Sequence, residues 1–247
     1  MKRHNEHFLL QWYQKNKRKP LIIRGARQVG KSTLVRIFCQ NNQLDLLEIN
    51  LEKIKLKSFL KQQVHITDVL DEIQLLSKKK ISANTIVFFD EIQEQPELLK
   101  FLRFYYEERP GLAVIAAGSL LEIALRDENF SFPVGRIEFM HLGPMLFSEF
   151  LLATNNELLL NKIKTQDFTE TVINLANEQF RNYLYVGGMP QVVKTFVEEK
   201  SLVNVRDVQE QIIQTYMADF PKYNSRIQYD RVQRIFYAAV TCVGKKM

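Results

Sequence analysis

The sequence predicts an α/β fold: a parallel sheet covered by helices on both faces, followed by a smaller helical unit. Three observations predict it. Leu21-Ile22-Ile23, Thr85 to Phe89 and Leu112 to Ala117 are short apolar runs without polar alternation, the pattern of strands buried on both faces. Segments with helical spacing separate them, as βαβ connections require. Beyond Pro144 the helical pattern continues with no further strand signal.

Taken in order, Phe8 to Tyr13 has helical spacing and ends in the basic turn before Pro20, after which Leu21 opens the first strand. Lys31 to Cys39 reads as a helix, Leu46 to Leu51 as a strand, and Ile54 to Leu60 and Thr67 to Leu76 as helices. Thr85 to Phe89 is the next strand. Pro96 starts a helix running to about Glu108, and Pro110-Gly111 breaks it before the strand Leu112 to Ala117. After Ser119 a short helix is expected to near Asp127, then a loop through Pro133 and Gly135, then a strand within Ile137 to Leu142. Helices are expected over Phe147 to Leu152, Leu158 to Ile163, Phe168 to Val186, Gln191 to Glu198, Leu202 to Tyr216 and Tyr229 to Val240. The change of pattern places a domain boundary at Gly143-Pro144, giving a core over 1–143 and a helical domain over 144–247.

Composition bounds the function classes. The chain has 247 residues, enough for one full α/β core and a small appendage but not for two large domains. Its 46% hydrophobic and 25% charged content is that of an ordinary globular chain. No apolar run has the length of a bilayer span and no signal-type core follows Met1-Lys2-Arg3, so a cytosolic location is expected. With only Cys39 and Cys242 and no Cys/His cluster, neither a disulfide framework nor a zinc site is expected. The net charge of +6 has its densest sources in Lys15 to Lys19 and Lys78 to Lys80. Such runs can meet nucleic acid, but solvated turns look the same.

The chemistry is concentrated in two motifs. Gly25-Ala26-Arg27-Gln28-Val29-Gly30-Lys31-Ser32 fits G-x-x-x-x-G-K-S/T in full, between an apolar strand and a helix, which is the context a phosphate-binding loop needs. Its glycines let backbone N–H groups turn toward an anion, and the following helix offers its positive end. Lys31 can neutralise the β and γ oxygens of a nucleoside triphosphate and Ser32 can ligate Mg²⁺; Thr33 completes the first turn of the site. The second motif is the strand Ile86-Val87-Phe88-Phe89 ending in Asp90-Glu91. Asp90 emerges at the carboxyl edge of the sheet, where it can hold Mg²⁺ through water, and Glu91 follows where it can orient an attacking water. Away from a phosphate loop the same pair would read as a helix N-cap.

Two further positions carry weaker signals. Ser119 follows the strand expected between the two motif strands, where a hydroxyl can reach the γ-phosphate or the water, although a serine after glycine is also an ordinary N-cap. Arg136 follows Gly135 just before the last strand, and can act as an arginine finger toward a neighbouring subunit or be a sheet-edge arginine; Arg126 is a second candidate.

With these residues in hand, the chain resembles the AAA_14 group of AAA-type ATPases, P-loop proteins whose core precedes a domain of unknown function. The resemblance rests on Lys19-Pro20-Leu21-Ile22-Ile23-Arg24-Gly25-Ala26-Arg27-Gln28-Val29-Gly30-Lys31-Ser32, Phe88-Phe89-Asp90-Glu91-Ile92-Gln93 and Ala117-Gly118-Ser119. It continues through Phe132-Pro133-Val134-Gly135-Arg136, Pro144-Met145-Leu146-Phe147-Ser148-Glu149-Phe150 and Tyr185-Val186-Gly187-Gly188-Met189-Pro190. It implies a five-stranded P-loop core in the order 5-1-4-3-2, a helical or winged-helix segment, and a longer C-terminal domain. It also implies that the Gly187-Gly188-Met189-Pro190 turn faces the nucleotide, with Pro190 among the binding residues; from the residues alone this is a helix stop followed by a helix start.

The expected function is Mg²⁺-dependent ATP hydrolysis driving a switch or remodeller, with an unknown protein partner and homo-oligomerisation as a possibility. A nucleic-acid-stimulated ATPase and a nucleotide-binding module without turnover are the alternatives. A small-molecule kinase is disfavoured, since no arginine-rich lid follows the core and Glu91 suits water activation. Adenine comes from the resemblance; the guanine-specific Asn/Thr-Lys-x-Asp signature is absent.

Overall fold

A computed structural model describes residues 1–60, 63–119, 135–223 and 229–242. Five parallel strands form one sheet: β1 (Leu21–Arg24), β2 (Asp45–Asn50), β3 (Thr85–Asp90), β4 (Ala113–Gly118) and β5 (Glu138–His141). Their order is β2-β3-β4-β1-β5, which read from the other edge is the expected 5-1-4-3-2. β4 pairs with both β1 and β3, so the strand expected between the two motif strands lies there.

Helices cover both faces because the strands, with β3 and β4 buried along their whole length, send alternate side chains to opposite sides. Toward one face point Ile22, Val87, Phe89, Val114 and Ala116, packed against α3 (Ile66–Ser77) and α4 (Glu97–Glu108) through Val69, Ile73, Leu98, Leu102 and Tyr105. Toward the other point Leu21, Ile23, Phe88, Ile115 and Met140, packed against α1 (Asn5–Tyr13) and α2 (Lys31–Asn41) through Leu9, Trp12, Leu34, Val35 and Phe38. Burying such side chains stabilises the layers by about 1.5–3 kcal/mol each. Trp12 also donates its indole N–H to the Lys19 carbonyl at 2.8 Å, tying α1 to the turn that feeds β1.

After β5 the described residues are helical: α5 (Phe147–Ala153), α6 (Glu157–Lys164), α7 (Glu170–Val186), α8 (Pro190–Glu199), α9 (Leu202–Asp219) and α10 (Tyr229–Cys242). Their own core joins Met145, Phe150, Val186, Val192, Val193, Val205 and Ile212. Phe150 stacks on Phe196 at 5.8 Å, and Tyr183 donates to the Met145 carbonyl at 2.7 Å.

One expected element differs. Of Ile54 to Leu60, only Lys57–Leu60 is helical, as a 3-10 turn. Tertiary hydrogen bonds outweigh the periodicity: the Gln95 amide makes paired 3.0 Å bonds to the Leu56 N–H and carbonyl, and the Glu72 carboxylate accepts from Lys57 and Ser58 N–H at 2.6 and 2.8 Å. Within the basic runs, Lys15 pairs with Glu138 at 2.7 Å and Lys79 donates to the Leu46 carbonyl at 2.9 Å. The helix expected near Asp127 lies outside the described residues. Among the described residues no helix is long and apolar enough to cross a membrane.

Candidate functional site

The site forms at the carboxyl edge of the sheet, because parallel strands bring all their exits to one side. β1 exits into the phosphate loop, β3 into Glu91 and β4 into Ser119, with Arg24 beside Gly118 and Asp90 beside Ala117 in register. The loop is shaped by two glycines. A Cβ on Gly25 would lie 2.0 Å from the Leu142 carbonyl oxygen, so only glycine lets β1 turn this close to the β5 exit. Gly30 has φ +90° and ends the loop as the N-cap of α2.

Lys31 and Ser32 begin α2. Lys31 is buried, 7% exposed, and its Nζ donates to the carbonyls of Gly25 and Ala26 at 3.0 and 2.9 Å, which folds the side chain back over the loop. Burial pulls its pKa down, against the opposing pull of Glu91 and Asp90. Ser32 Oγ donates to Asp90 Oδ2 at 2.7 Å, joining the two sequence motifs directly. Asp90 is 4% exposed, and burial pushes its pKa up despite that hydrogen bond, with Glu91 and Glu48 adding to the rise.

Glu91 is held in the left-handed region at φ 54°, which strains a non-glycine residue and turns its carboxylate off the strand into the cavity. Gln93 Nε2 donates to Glu91 Oε2 at 2.6 Å and fixes that carboxylate. Gln28, in the loop, is similarly left-handed at φ 64°.

The cavity, about 590 Å³, opens between the phosphate loop and the helical unit. Arg27, Gln28, Gly30, Lys31, Ser32, Thr33 and Glu91 line it from the core, and Pro190, Gln191, Val208, Gln211 and Thr215 from α8 and α9. With Arg36 also present, cations outnumber carboxylates in the lining, a balance suited to a polyphosphate. Ser32 and Asp90 supply adjacent hydroxyl and carboxylate oxygens of the hard type that Mg²⁺ takes, and Mg²⁺ keeps most of its waters, so few protein ligands suffice.

Most residues proposed from sequence therefore converge. Gly25 and Ala26 offer carbonyls to Lys31, Pro190 sits 3.6 Å from where a Gly30 Cβ would be, and Ser119 stands at the exit of β4 between the motif strands. Val29 points into the core and offers its carbonyl to Arg3 at 3.0 Å. Arg136 does not converge. It precedes β5 at the amino edge of the sheet, about 10 Å of strand from the phosphate loop, and pairs with Glu107 at 3.0 Å. From there it does not reach this chain's own phosphate loop. Arg126 lies outside the described residues.

Sequence reasoning missed four contributors. Arg36, one turn beyond Ser32, lines the cavity and pairs with Glu48 at 2.9 and 2.5 Å; its helical spacing could have indicated it. Gln93 follows the carboxylate pair closely enough to have been weighed. Arg3 and Asp219 reach the loop from the two ends of the chain, and no local pattern announces them. Arg3 donates to the carbonyls of Val29 at 3.0 Å and Gly143 at 2.6 Å, and its Nε lies 3.2 Å from the buried Glu149 carboxylate, close enough for an ion pair without hydrogen-bond alignment.

A family model described as an AAA domain, AAA_14, matches residues 17–151, and a second, described as a domain of unknown function (DUF8612), matches residues 177–247. Among solved structures the chain is similar to the Walker-type ATPase PABY2304 of Pyrococcus abyssi, with a TM-score of 0.56 and 18% identity over 91% of this chain and 77% of that one. It is also similar to a chain in a structure of Drosophila ORC bound to DNA, with a TM-score of 0.43 and 15% identity over 98% of this chain and 67% of that one. A search of curated proteins finds no match.

Proposed function

The chain belongs to the AAA_14 family of AAA domains, and from that membership we propose that it binds Mg·ATP between the phosphate loop and α8–α9 and hydrolyses it to ADP and phosphate. The observation that carries the reading is the 2.7 Å bond between Ser32 and Asp90, which joins residues 58 positions apart, with Ser32 lining the cavity beside Lys31. The phosphate-loop N–H groups and the start of α2 receive the phosphates. Lys31 exchanges its two carbonyl partners for phosphate oxygens, and the triphosphate offsets the burial that lowers its pKa. Ser32 and Asp90 would hold Mg²⁺, which would supply charge neutralisation to the triphosphate. Glu91, its carboxylate oriented by Gln93, accepts a hydrogen bond from the attacking water and aligns it. Ser119 is placed to touch the γ-phosphate or that water.

We take residues 1–143 as the ATPase core and 144–247 as a helical domain that closes on the nucleotide through Pro190 and α9, so that a protein partner can read the difference between the ATP and ADP states. An arginine finger, if Arg136 is one, acts between copies in a homo-oligomer. The P. abyssi structure is named as a Walker-type ATPase, and at 18% identity it supports the fold of this proposal.

The experiment is equilibrium binding of ATP with and without Mg²⁺ to the wild type, Lys31→Ala and Ser32→Ala. Lys31→Ala should weaken binding at least a hundredfold, and Ser32→Ala should remove most of the gain that Mg²⁺ gives. Equal affinities in all three proteins would refute the site.

A further inference from the structure

The phosphate cavity brings opposite charges together without pairing them. Glu91 lines it alongside Lys31 and Arg27. Burial pulls the Lys31 pKa down and the charge of Glu91 opposes that pull, so the two groups already act on each other across the cavity. Among the described residues, however, no hydrogen bond or ion pair joins Glu91 to either cation. Lys31 Nζ commits two of its three N–H donors to the neutral carbonyls of Gly25 and Ala26, and Arg27 pairs with Asp219. The Glu91 carboxylate is held instead by Gln93, whose Nε2 donates to Oε2 at 2.6 Å.

The Gln93 amide is set in place by its neighbours. It stands in the 3-10 turn Ile92–Glu94, which Ile92 anchors in the core and Gln95 fixes through its paired bonds to Leu56. Its Oε1 is buried without a hydrogen-bond partner, and a shielded acceptor without a donor is a cost to the fold. The bond to Glu91 is thus what this amide contributes. Without it, Glu91 would have a better partner in the same cavity, the remaining N–H of Lys31. A bond between an ammonium and a carboxylate is roughly twice as strong as one between neutral groups, and an incoming phosphate would have to break it.

We propose that Gln93 is a positioning residue for phosphate binding: by holding Glu91, it keeps Lys31 open to the phosphates of a nucleoside triphosphate. The inference rests on the ATP-binding reading and adds to it how a carboxylate can stand in a phosphate site without closing it.

The test is equilibrium binding of a non-hydrolysable ATP analogue with Mg²⁺ to the wild type, Gln93→Met, Glu91→Gln and the double variant. Gln93→Met keeps the length of the side chain and removes the amide. It should bind the analogue about tenfold more weakly, the scale of one hydrogen bond to a charged group. Adding Glu91→Gln should restore binding to within about twofold of Glu91→Gln alone, because an amide forms no ion pair with Lys31. Damage to the shape of the turn would not be restored in this way. Gln93→Ala, combined with Glu91→Gln in the same manner, serves as a second cycle should Gln93→Met fail to fold. Unchanged binding by the Gln93 variant, or a defect that persists in the double variant, would overturn this inference and leave the ATP-binding reading standing. No binding by the wild type would overturn both.

Discussion

Replacing Arg3 with alanine should destabilise the whole chain and loosen the phosphate loop together. Glu149 is 2% exposed and accepts from the N–H groups of His4 at 2.7 Å and Leu146 at 2.9 Å, and Arg3 supplies its positive partner with a side chain only 7% exposed. Both charges are buried, so solvent screening gives little discount. Removing one partner of such a pair costs about 3–5 kcal/mol, because the other charge is left uncompensated. For a chain of this size that corresponds to a fall of roughly 6–20 °C in Tm, at about 2–4 °C per kcal/mol. Arg3 also ties the Val29 carbonyl of the phosphate loop to the Gly143 carbonyl that follows β5, so ATP affinity should fall as well. Urea and thermal unfolding of the wild type and Arg3→Ala would measure this, and a loss under about 1 kcal/mol would refute the reasoning.

Further expectations follow from the geometry. Gly25→Ala should cost about 1–3 kcal/mol or more, because its Cβ would stand 2.0 Å from the Leu142 carbonyl oxygen, and ATP binding should be lost with it; unaltered binding would contradict the close approach. Asp90 has its pKa raised by burial, so its stability contribution is present below the ordinary carboxylate pKa and is lost as pH rises through the raised value. Asp90→Asn should therefore melt higher than the wild type at neutral pH without Mg²⁺, the advantage vanishing in acid, and equal melting at both pH values would contradict it. The Cys39 thiol is buried and its pKa is pushed up to about 11, so at pH 8 an alkylating reagent should modify Cys242 first and Cys39 only on unfolding.

What could be read from the sequence and what could not divide along one physical line. The strands were legible because runs such as Val87-Phe88-Phe89 are apolar at every position, and the phosphate loop because its requirements are local: two glycines, a lysine and a hydroxyl at fixed spacing. Asp90 and Glu91 were legible as the end of such a strand. Contacts between distant segments were not. Arg3 meets Glu149, and Arg27 meets Asp219 across 192 positions, with no periodicity to connect them. The same blindness produced the expected helix at Ile54 to Leu60, where the Gln95 amide and the Glu72 carboxylate hold the backbone open from elsewhere in the fold. Arg136 illustrates a different limit, since a position just before β5 says which edge of the sheet an arginine occupies only once the direction of β5 is known.

Turnover of bound ATP is assigned to Glu91. It is tested most directly by phosphate release from Mg·ATP by the wild type and Glu91→Gln, with ATP binding followed in the same samples across protein concentration. The wild type should release phosphate, and Glu91→Gln should bind ATP as tightly without hydrolysing it, because the amide keeps the shape and the contact with Gln93 but aligns no water. Normal release by Glu91→Gln would contradict it.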